Sequence, residues 1–403
     1  MTWFHVLTGG GWLAVVVAAR LLRRRRAFAV FVGVLVGIYS LLAVALAPSF
    51  RAVLPLYTAL HVSVYVNFLA LSRARMRPLI YRLLVSWPSA FFVAGTLLAL
   101  PWGLAAAFGA HPWGAWIPYA LAAFGLHQSL TTRREHVDLV IPGAGAAPIP
   151  TFGPHPRGDE RVTRPLRIVQ ISDPHLGPFM SVARLRRIAE RAVAAEPDLV
   201  FLTGDFLTME SQGDPDLLRE ALAPLQALPG KVYACHGNHD HEAPEVVAGA
   251  LAANGIHLLV DEARDVLTEA GPVQILGVDF AYRDRRARLE RACLAHPRTP
   301  GALRIVLLHD PGAFRHLPDG HGDLVLSGHT HGGQVGLLSL GLEWTFLRLF
   351  GDRIPDHGFW ARGTDRMWIH RGTGHYGFPL RLGVPAEESV LRIHPFFTAV
   401  DPG

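Results

Sequence analysis

Lysine is almost missing from this chain: Lys231 is the only one in 403 residues, and the other fixed positive charges are arginines. So general an arginine preference reads as a compositional habit of the genome and carries no functional message. Cysteine is scarce too. Cys235 and Cys293 are the only two, which excludes a disulfide framework and a zinc site built on thiolates. Cys235 ends an apolar run, where a small thiol packs as a hydrophobe, and a reducing compartment is compatible with both. Charge is thin at 18%, against about 25% in soluble proteins, while half of the residues are hydrophobic. Acids are the rarest feature of the first 136 residues, which hold only Glu135 beside 12 arginines, a net +11. The rest of the chain holds 26 basic and 32 acidic residues, a net −6. The basic surplus therefore belongs to the apolar part, and the remainder offers no basic field for nucleic acid.

The apolar part reads as a membrane region. Residues 27–47, 83–109 and 113–130 are uncharged runs, and a bilayer takes about 20 apolar residues to cross. Residues 3–22 and 52–71 are weaker candidates, the first interrupted by Gly9-Gly-Gly11 and the second carrying Pro55, His61 and Asn67. The arginines follow the first apolar stretch, so it is not a cleavable signal peptide. They cluster at Arg20 and Arg23–Arg26, at Arg73 to Arg82, and at Arg133-Arg134, while the alternate loops hold only Arg51. The positive-inside rule then gives four or five spans and a cytoplasmic C-terminal domain. That makes a multi-pass protein of the cell membrane.

Residues 1–136 thus form a transmembrane helical region, and 137–165, rich in Pro and Gly, a connector to which His136–Ile141 adds an edge strand. From 166 to 396 the pattern is α/β. Strands are expected at Leu166–Ser172, Leu199–Thr203, Lys231–Cys235, His257–Val260, Val273–Val278, Arg304–Leu308, Leu324–Ser327, Met367–Arg371 and Val390–Ile393. Helices are expected near 181–196, 215–228, 244–254 and 284–295. The last two strands suggest a second sheet packed on the first, an α/β sandwich.

Five of these strands end in residues that build no core: Asp173-Pro-His175, Gly204-Asp205, His236-Gly-Asn-His-Asp240, His309-Asp310 and Gly328-His-Thr-His331. Ligands of open α/β sheets bind beyond the carboxyl ends of the strands. Asp173 and His175, two apart, face one side. Asp205 is able to bridge two cations, Asn238 offers an amide oxygen, and His309, His329 and His331 supply imidazoles. Oxygen and imidazole without thiolate suit Mn, Fe, Zn or Co. Two such ions about 3.5–4 Å apart clamp a phosphoryl group and activate water for attack at phosphorus.

In this order the motifs resemble the calcineurin-like metallophosphoesterases over roughly residues 166–395. The resemblance implies one metal on Asp173, His175, Asp205 and His331 and another on Asp205, Asn238, His309 and His329. It makes His239 the non-ligand acid that protonates the leaving oxygen or contacts the phosphate, oriented by Asp240. Gly332-Gly-Gln334, Arg371-Gly-Thr-Gly374 and Pro379-Leu-Arg-Leu382 are similar to a membrane branch of the superfamily, the transmembrane proteins with a metallophosphoesterase domain. Asp310 departs from the Asn more common there.

Other residues stay open between chemistry and structure. His236 and His241 either take a direct part or merely pack. His357 and His370 lie beyond the motifs; His375 is a candidate substrate contact. Arg381 holds either a phosphate or a surface ion pair. Leu337–Phe350, too short to span, is either core or a lip on the membrane. The expected activity is phosphoester hydrolysis on a lipid-linked substrate in the membrane. The alternatives are a soluble nucleotide or diester with the spans as anchor, and a metal-binding scaffold without activity.

Overall fold

The computed structural model describes residues 2–22, 26–141, 164–351 and 353–395. They form two compact units. The first comprises Met1–Leu130 with Met209–Gly213 and Tyr376–Gly383, and the second Thr131–Thr208, Asp214–His375 and Val384–Gly403. The boundary falls ahead of the expected 136, because residues 133–141 form a strand of the second unit. Most of the expected connector, 142–163, lies outside the described residues.

The first unit is helical: α1 (Thr2–Leu22), α2 (Arg26–Leu46), α3 (Leu54–Ala70), α4 (Leu79–Tyr81), α5 (Trp87–Leu98), α6 (Leu100–Ala107) and α7 (Ile117–Ser129). Among the described residues, three stretches are long and apolar enough to cross a membrane: Thr2–Leu22, Phe28–Ala70 and Leu79–Leu98. The second of these is divided by a tight turn at Ala47–Val53 into α2 and α3. The glycines do not break α1. A Cβ on Gly11 would stand 2.7 Å from the Tyr65 ring, so that glycine admits a helix neighbour. By contrast, the run 83–109 is divided ahead of Pro101, whose missing N–H cannot continue the helix. The run 113–130 yields only the 13 residues of α7, because Gly114 turns the chain at φ 76° and Pro118 starts the helix. That helix rises about 20 Å, less than the hydrocarbon core. The outward faces stay apolar, with Val6, Leu13, Leu41, Ile80 and Leu84 exposed, where a water-facing bundle would carry charge. Among the described residues of this unit the one buried imidazole, His61 of α3, is satisfied by Tyr39 Oη at 2.6 Å and Thr8 Oγ1 at 2.9 Å.

The second unit is the expected two-sheet sandwich. Its strands are β1 (Arg133–Ile141), β2 (Leu166–Ile171), β3 (Leu199–Leu202), β4 (Val232–Ala234), β5 (His257–Leu258), β6 (Glu262–Thr268), β7 (Gly271–Val278), β8 (Leu303–Leu308), β9 (Leu324–Ser327), β10 (Gly358–Arg362), β11 (Asp365–Ile369) and β12 (Glu387–Pro395). One sheet runs β1-β12-β2-β3-β4-β5 and the other β10-β11-β9-β8-β7-β6. The two closing strands therefore part company: β11 joins the second sheet, whereas β12 returns to the first between β1 and β2. β6 and β10 carried no strand signal, since β6 is a polar edge with Glu262, Arg264 and Asp265 facing solvent.

Between the sheets, alternate residues interdigitate: Ile168, Leu199, Phe201 and Tyr233 from one, Ile275, Ile305, Leu307 and Leu326 from the other. Each such side chain contributes about 1.5–3 kcal/mol by leaving water. Helix α8 (Val182–Ala194) buries Leu185, Ile188, Ala189 and Ala192, and Ser181 caps it by accepting from the Arg184 N–H at 3.2 Å. Helices α9 (Pro215–Leu222), α10 (Pro244–Ala253) and α11 (Arg285–Ala295) complete the layers. In each sheet β2-β3-β4 and β7-β8-β9 run parallel, so their carboxyl ends lie along one rim.

Candidate metal centre

Every ligand expected from sequence sits just past one of those strand ends. Asp173 and His175 follow β2, Asp205 follows β3, Asn238 follows β4, His309 follows β8, and His329 and His331 follow β9. Two groups converge, Asp173 with His175 and His331, and Asp205 with His309 and His329, donor atoms within 4.8 Å in each. His175 Nε2 lies 3.2 Å from His331 Nε2 and 3.6 Å from Asp205 Oδ2. His309 Nε2 lies 3.3 Å from that same Asp205 oxygen, and His331 Nε2 3.4 Å from Asp173 Oδ1. Asp205 therefore reaches both groups, as a bridging carboxylate must.

The backbone is bent to make this possible. Asp173, His175, Asp205, His329 and His331 all have positive φ, between 44° and 69°. That conformation costs non-glycine residues energy, and such strain gathers at functional sites. Two glycines keep the loops close: a Cβ on Gly237 would meet Asp205 Oδ1 at 2.2 Å, and one on Gly328 would meet Asp173 Oδ2 at 2.1 Å.

The electrostatics call for positive charge. Burial would raise the Asp173 and Asp205 carboxyls, but His331 beside the first and His309 beside the second hold both well below the usual range. Burial likewise pulls His309 down, and the Asp205 charge overrides it, pushing the imidazole up to about 10. A proton thus collects where a cation would. Asn238 tests the fit directly: its amide oxygen is buried without a hydrogen-bond partner among the described residues. An unpaired buried amide costs roughly 1–3 kcal/mol, and a cation relieves it. The residues fit a pair of divalent ions.

The supporting residues are arranged differently from the expectation in one respect. Asp240 does not orient His239. Its buried carboxylate accepts the backbone N–H groups of Asp205, Phe206 and Gly237 at 2.8, 2.8 and 2.7 Å, tying the loops after β3 and β4 together. His239 Nδ1 instead meets Glu242 Oε1 at 2.9 Å. Burial pulls His239 down, yet the Glu242 hydrogen bond and the Asp205 charge outweigh it and the net shift is upward. Glu242 belongs to no motif in the sequence, although a carboxylate three residues after a turn histidine is in reach of it. Nor does Ser172, whose hydroxyl donates to Asp173 Oδ2 at 2.5 Å.

His375 is buried with its ring 4.6 Å from Phe179, and its neighbour Gly374 donates to the Asp173 carbonyl at 3.0 Å. It is thereby brought beside the loop of Asp173 and His175. Arg381 belongs to the helical unit, fully buried, its N–H donating to Ser129 Oγ, and it offers no open face to a phosphate. His357 pairs with Glu343 and Asp356, and His370 accepts from the Gly372 N–H, so both are structural. Asp310 pairs with Arg285 at 2.8 Å and caps the turn at Pro311–His316. An aspartate there builds a turn and leaves the His309 ligand intact.

A two-sheet sandwich with these donors on one rim defines a metallophosphoesterase, and residues 166–333 match the calcineurin-like phosphoesterase family. Over these residues the chain carries a domain of that family. Among its relatives is the phosphodiesterase YaeI of Escherichia coli, 27% identical over 235 residues, 57% of this chain and 82% of that one. The transmembrane protein with metallophosphoesterase domain of Danio rerio is 29% identical over 240 residues, 55% of this chain and 52% of its own. A UDP-2,3-diacylglucosamine pyrophosphatase, LpxG of Chlamydia trachomatis, is 27% identical over 218 residues, 43% and 65% of the two chains. The match thus spans about half of the zebrafish protein and just under two thirds of the chlamydial one.

Proposed function

We propose that this chain is a membrane-bound hydrolase of lipid-linked phosphoesters or pyrophosphates. In this reading one metal is held by Asp173, His175, Asp205 and His331, the other by Asp205, Asn238, His309 and His329. Mn, Fe, Zn and Co all suit these donors. When bound, the ions supply the electrophile and the activated water for displacement at phosphorus. His239, its Nδ1 held by Glu242, presents its other nitrogen as the acid that gives a proton to the leaving oxygen. Asp240 keeps the Asp205 and Asn238 loops in register. The intact His239–Glu242 pair counts against a scaffold without activity. The arginine clusters favour a cytoplasmic position for the catalytic unit.

One observation carries the lipid reading. Leu337–Phe350, left open by sequence between core and lip, keeps its large apolar side chains outward: Leu340, Leu349 and Phe350 are 74%, 63% and 69% exposed. Its base is fastened to the metal loop, with Leu347 packed on Gly333 and Thr345 and Arg348 bonded to Asp356, whose carbonyl accepts from Thr330. A fixed apolar shelf beside the metals suits acyl chains, and LpxG, by its name, acts on a diacylated sugar nucleotide.

Replacing Trp344, Phe346 and Phe350 with Ser tests this. Moving a large apolar side chain into lipid is worth about 1.5–3 kcal/mol when complete, so three half-exposed ones predict a loss of roughly 10²–10³ in kcat/KM on a phospholipid-like ester. Hydrolysis of a soluble nitrophenyl phosphodiester should persist, with an unchanged melting temperature. Equal rates on both substrates in the variant and the parent would favour a soluble nucleotide or diester and refute the lipid reading.

A further inference from the structure

Outside the dinuclear centre, three more side chains converge as its ligands do. His236 lies in the loop after β4, His241 follows Asp240 in the next turn, and Asp279 comes directly after β7. His236 Nδ1 is 2.9 Å and His241 Nε2 3.2 Å from one and the same oxygen, Asp279 Oδ1. One donor from each lies within 4.8 Å of the other two. At the dinuclear centre, donor pairs stand 3.2, 3.3, 3.4 and 3.6 Å apart. Ligands about 2.0–2.2 Å from a shared ion have that spacing.

Local charge favours a cation. Among the described residues, Arg288 of α11 is the guanidinium paired with this cluster, divided between Asp261 at 2.7 Å and Asp279 Oδ2 at 3.0 Å, while Arg285 beside it is taken up by Asp310. Two carboxylates face one arginine. That leaves a negative surplus and keeps Arg288 on the oxygen the histidines do not use. Asp279 Oδ1 also accepts the Phe280 N–H at 3.0 Å, which aims it between the two rings. His236 is buried, and its Nε2 meets no partner among the described residues, so the ring spends its polar contact at Asp279. His241 is the more open side of the cluster, with its side chain 37% exposed.

We propose that His236, His241 and Asp279 form a third divalent-cation site, separate from the dinuclear pair, that takes one ion of the Zn, Mn or Co class. Two imidazoles and one carboxylate with an open position on the His241 side suit such an ion. The ion joins the two sheets, since His236 and His241 belong to the loop after β4 and Asp279 to the end of β7. That loop also carries Asn238 and His239. On the other side, the Phe280 ring lies 6.2 Å from His309 and 6.1 Å from His329. The third ion thus braces the flank of the second metal position without sharing a ligand with it.

The test counts metal and needs no substrate. Purified full-length protein is dialysed to equilibrium against Zn²⁺ alone, and bound zinc is measured by mass spectrometry. The wild type should hold one ion more than His241→Ala and one more than Asp279→Asn, the other ions staying bound. His241→Cys, which restores a zinc ligand, should recover it. Because His241 is partly exposed, its variants should fold, and melting curves check this. Equal zinc in wild type and His241→Ala would overturn the proposal. Loss of all bound zinc in a folded His241→Ala would also overturn it, because the site would not be separate.

Discussion

Removing Glu242 separates the carboxylate that holds His239 from the one that sequence suggested. Glu242 Oε1 sits 2.9 Å from His239 Nδ1, and a hydrogen bond involving a charged group contributes about 1.5–3 kcal/mol. The side chains of His239 and Glu242 are 26% and 30% exposed, so solvent screening favours the lower end. About 1.4–2 kcal/mol is roughly a 10–30-fold loss in kcat. Glu242→Gln keeps an acceptor and should lose less than Glu242→Ala. His239→Ala should lose about 10²–10⁴, the usual contribution of a general acid. The double variant should be no slower than His239→Ala alone, because Glu242 acts only through the histidine. The assay compares kcat on an alkyl ester, which needs a proton on its leaving oxygen, with kcat on a nitrophenyl ester, which does not. Losses from Glu242→Ala should appear on the first and fade on the second, with metal content unchanged. Full additivity of the two losses, or equal loss on both esters, would refute the positioning role.

Asp205→Asn should lower bound metal at both positions and abolish turnover, since Asp205 Oδ2 lies beside His175 of one group and His309 of the other; two ions retained at full affinity would rule out the bridge. Gly328→Ala would set a methyl 2.0 Å from Ser172 Oγ and 2.1 Å from Asp173 Oδ2. It should cost about 1–3 kcal/mol of stability together with metal at the Asp173 position, read by melting and metal analysis; an unchanged melting temperature and metal content would contradict it. Acid should reveal the buried Glu387. Burial would raise its carboxyl, but His370 and Arg371 carry it down to about 2 from 4.5. A depressed folded value means stability that is present above pH 4.5 and lost as pH falls toward about 2, on the order of 3 kcal/mol. The stability gap between wild type and Glu387→Gln should therefore narrow across that window; a gap independent of pH would exclude the linkage.

Local chemistry made much of this protein legible from its chain alone. Strand runs such as Arg304–Leu308 are apolar because both faces are buried, and the runs of Asp, Asn and His that end them cannot build core. Period and polarity suffice for both, so the sandwich and the seven candidate ligand positions at its strand ends were visible. The apolar first part, with Glu135 its only acid, was equally plain, because a bilayer selects composition over a whole helix. Distances between residues far apart in sequence were not visible. Asp240 lies next to His239 in the chain, yet the fold turns its carboxylate to three backbone N–H groups and brings Glu242 to the imidazole. Asp279, 43 positions beyond His236, carried no signal until two sheets stacked and placed it there. The return of β12 to the first sheet also depended on tertiary packing. Leu337–Phe350 shows the physical reason most simply: an apolar run has the same sequence whether core or solvent covers it, and only the path of the chain around it decides which.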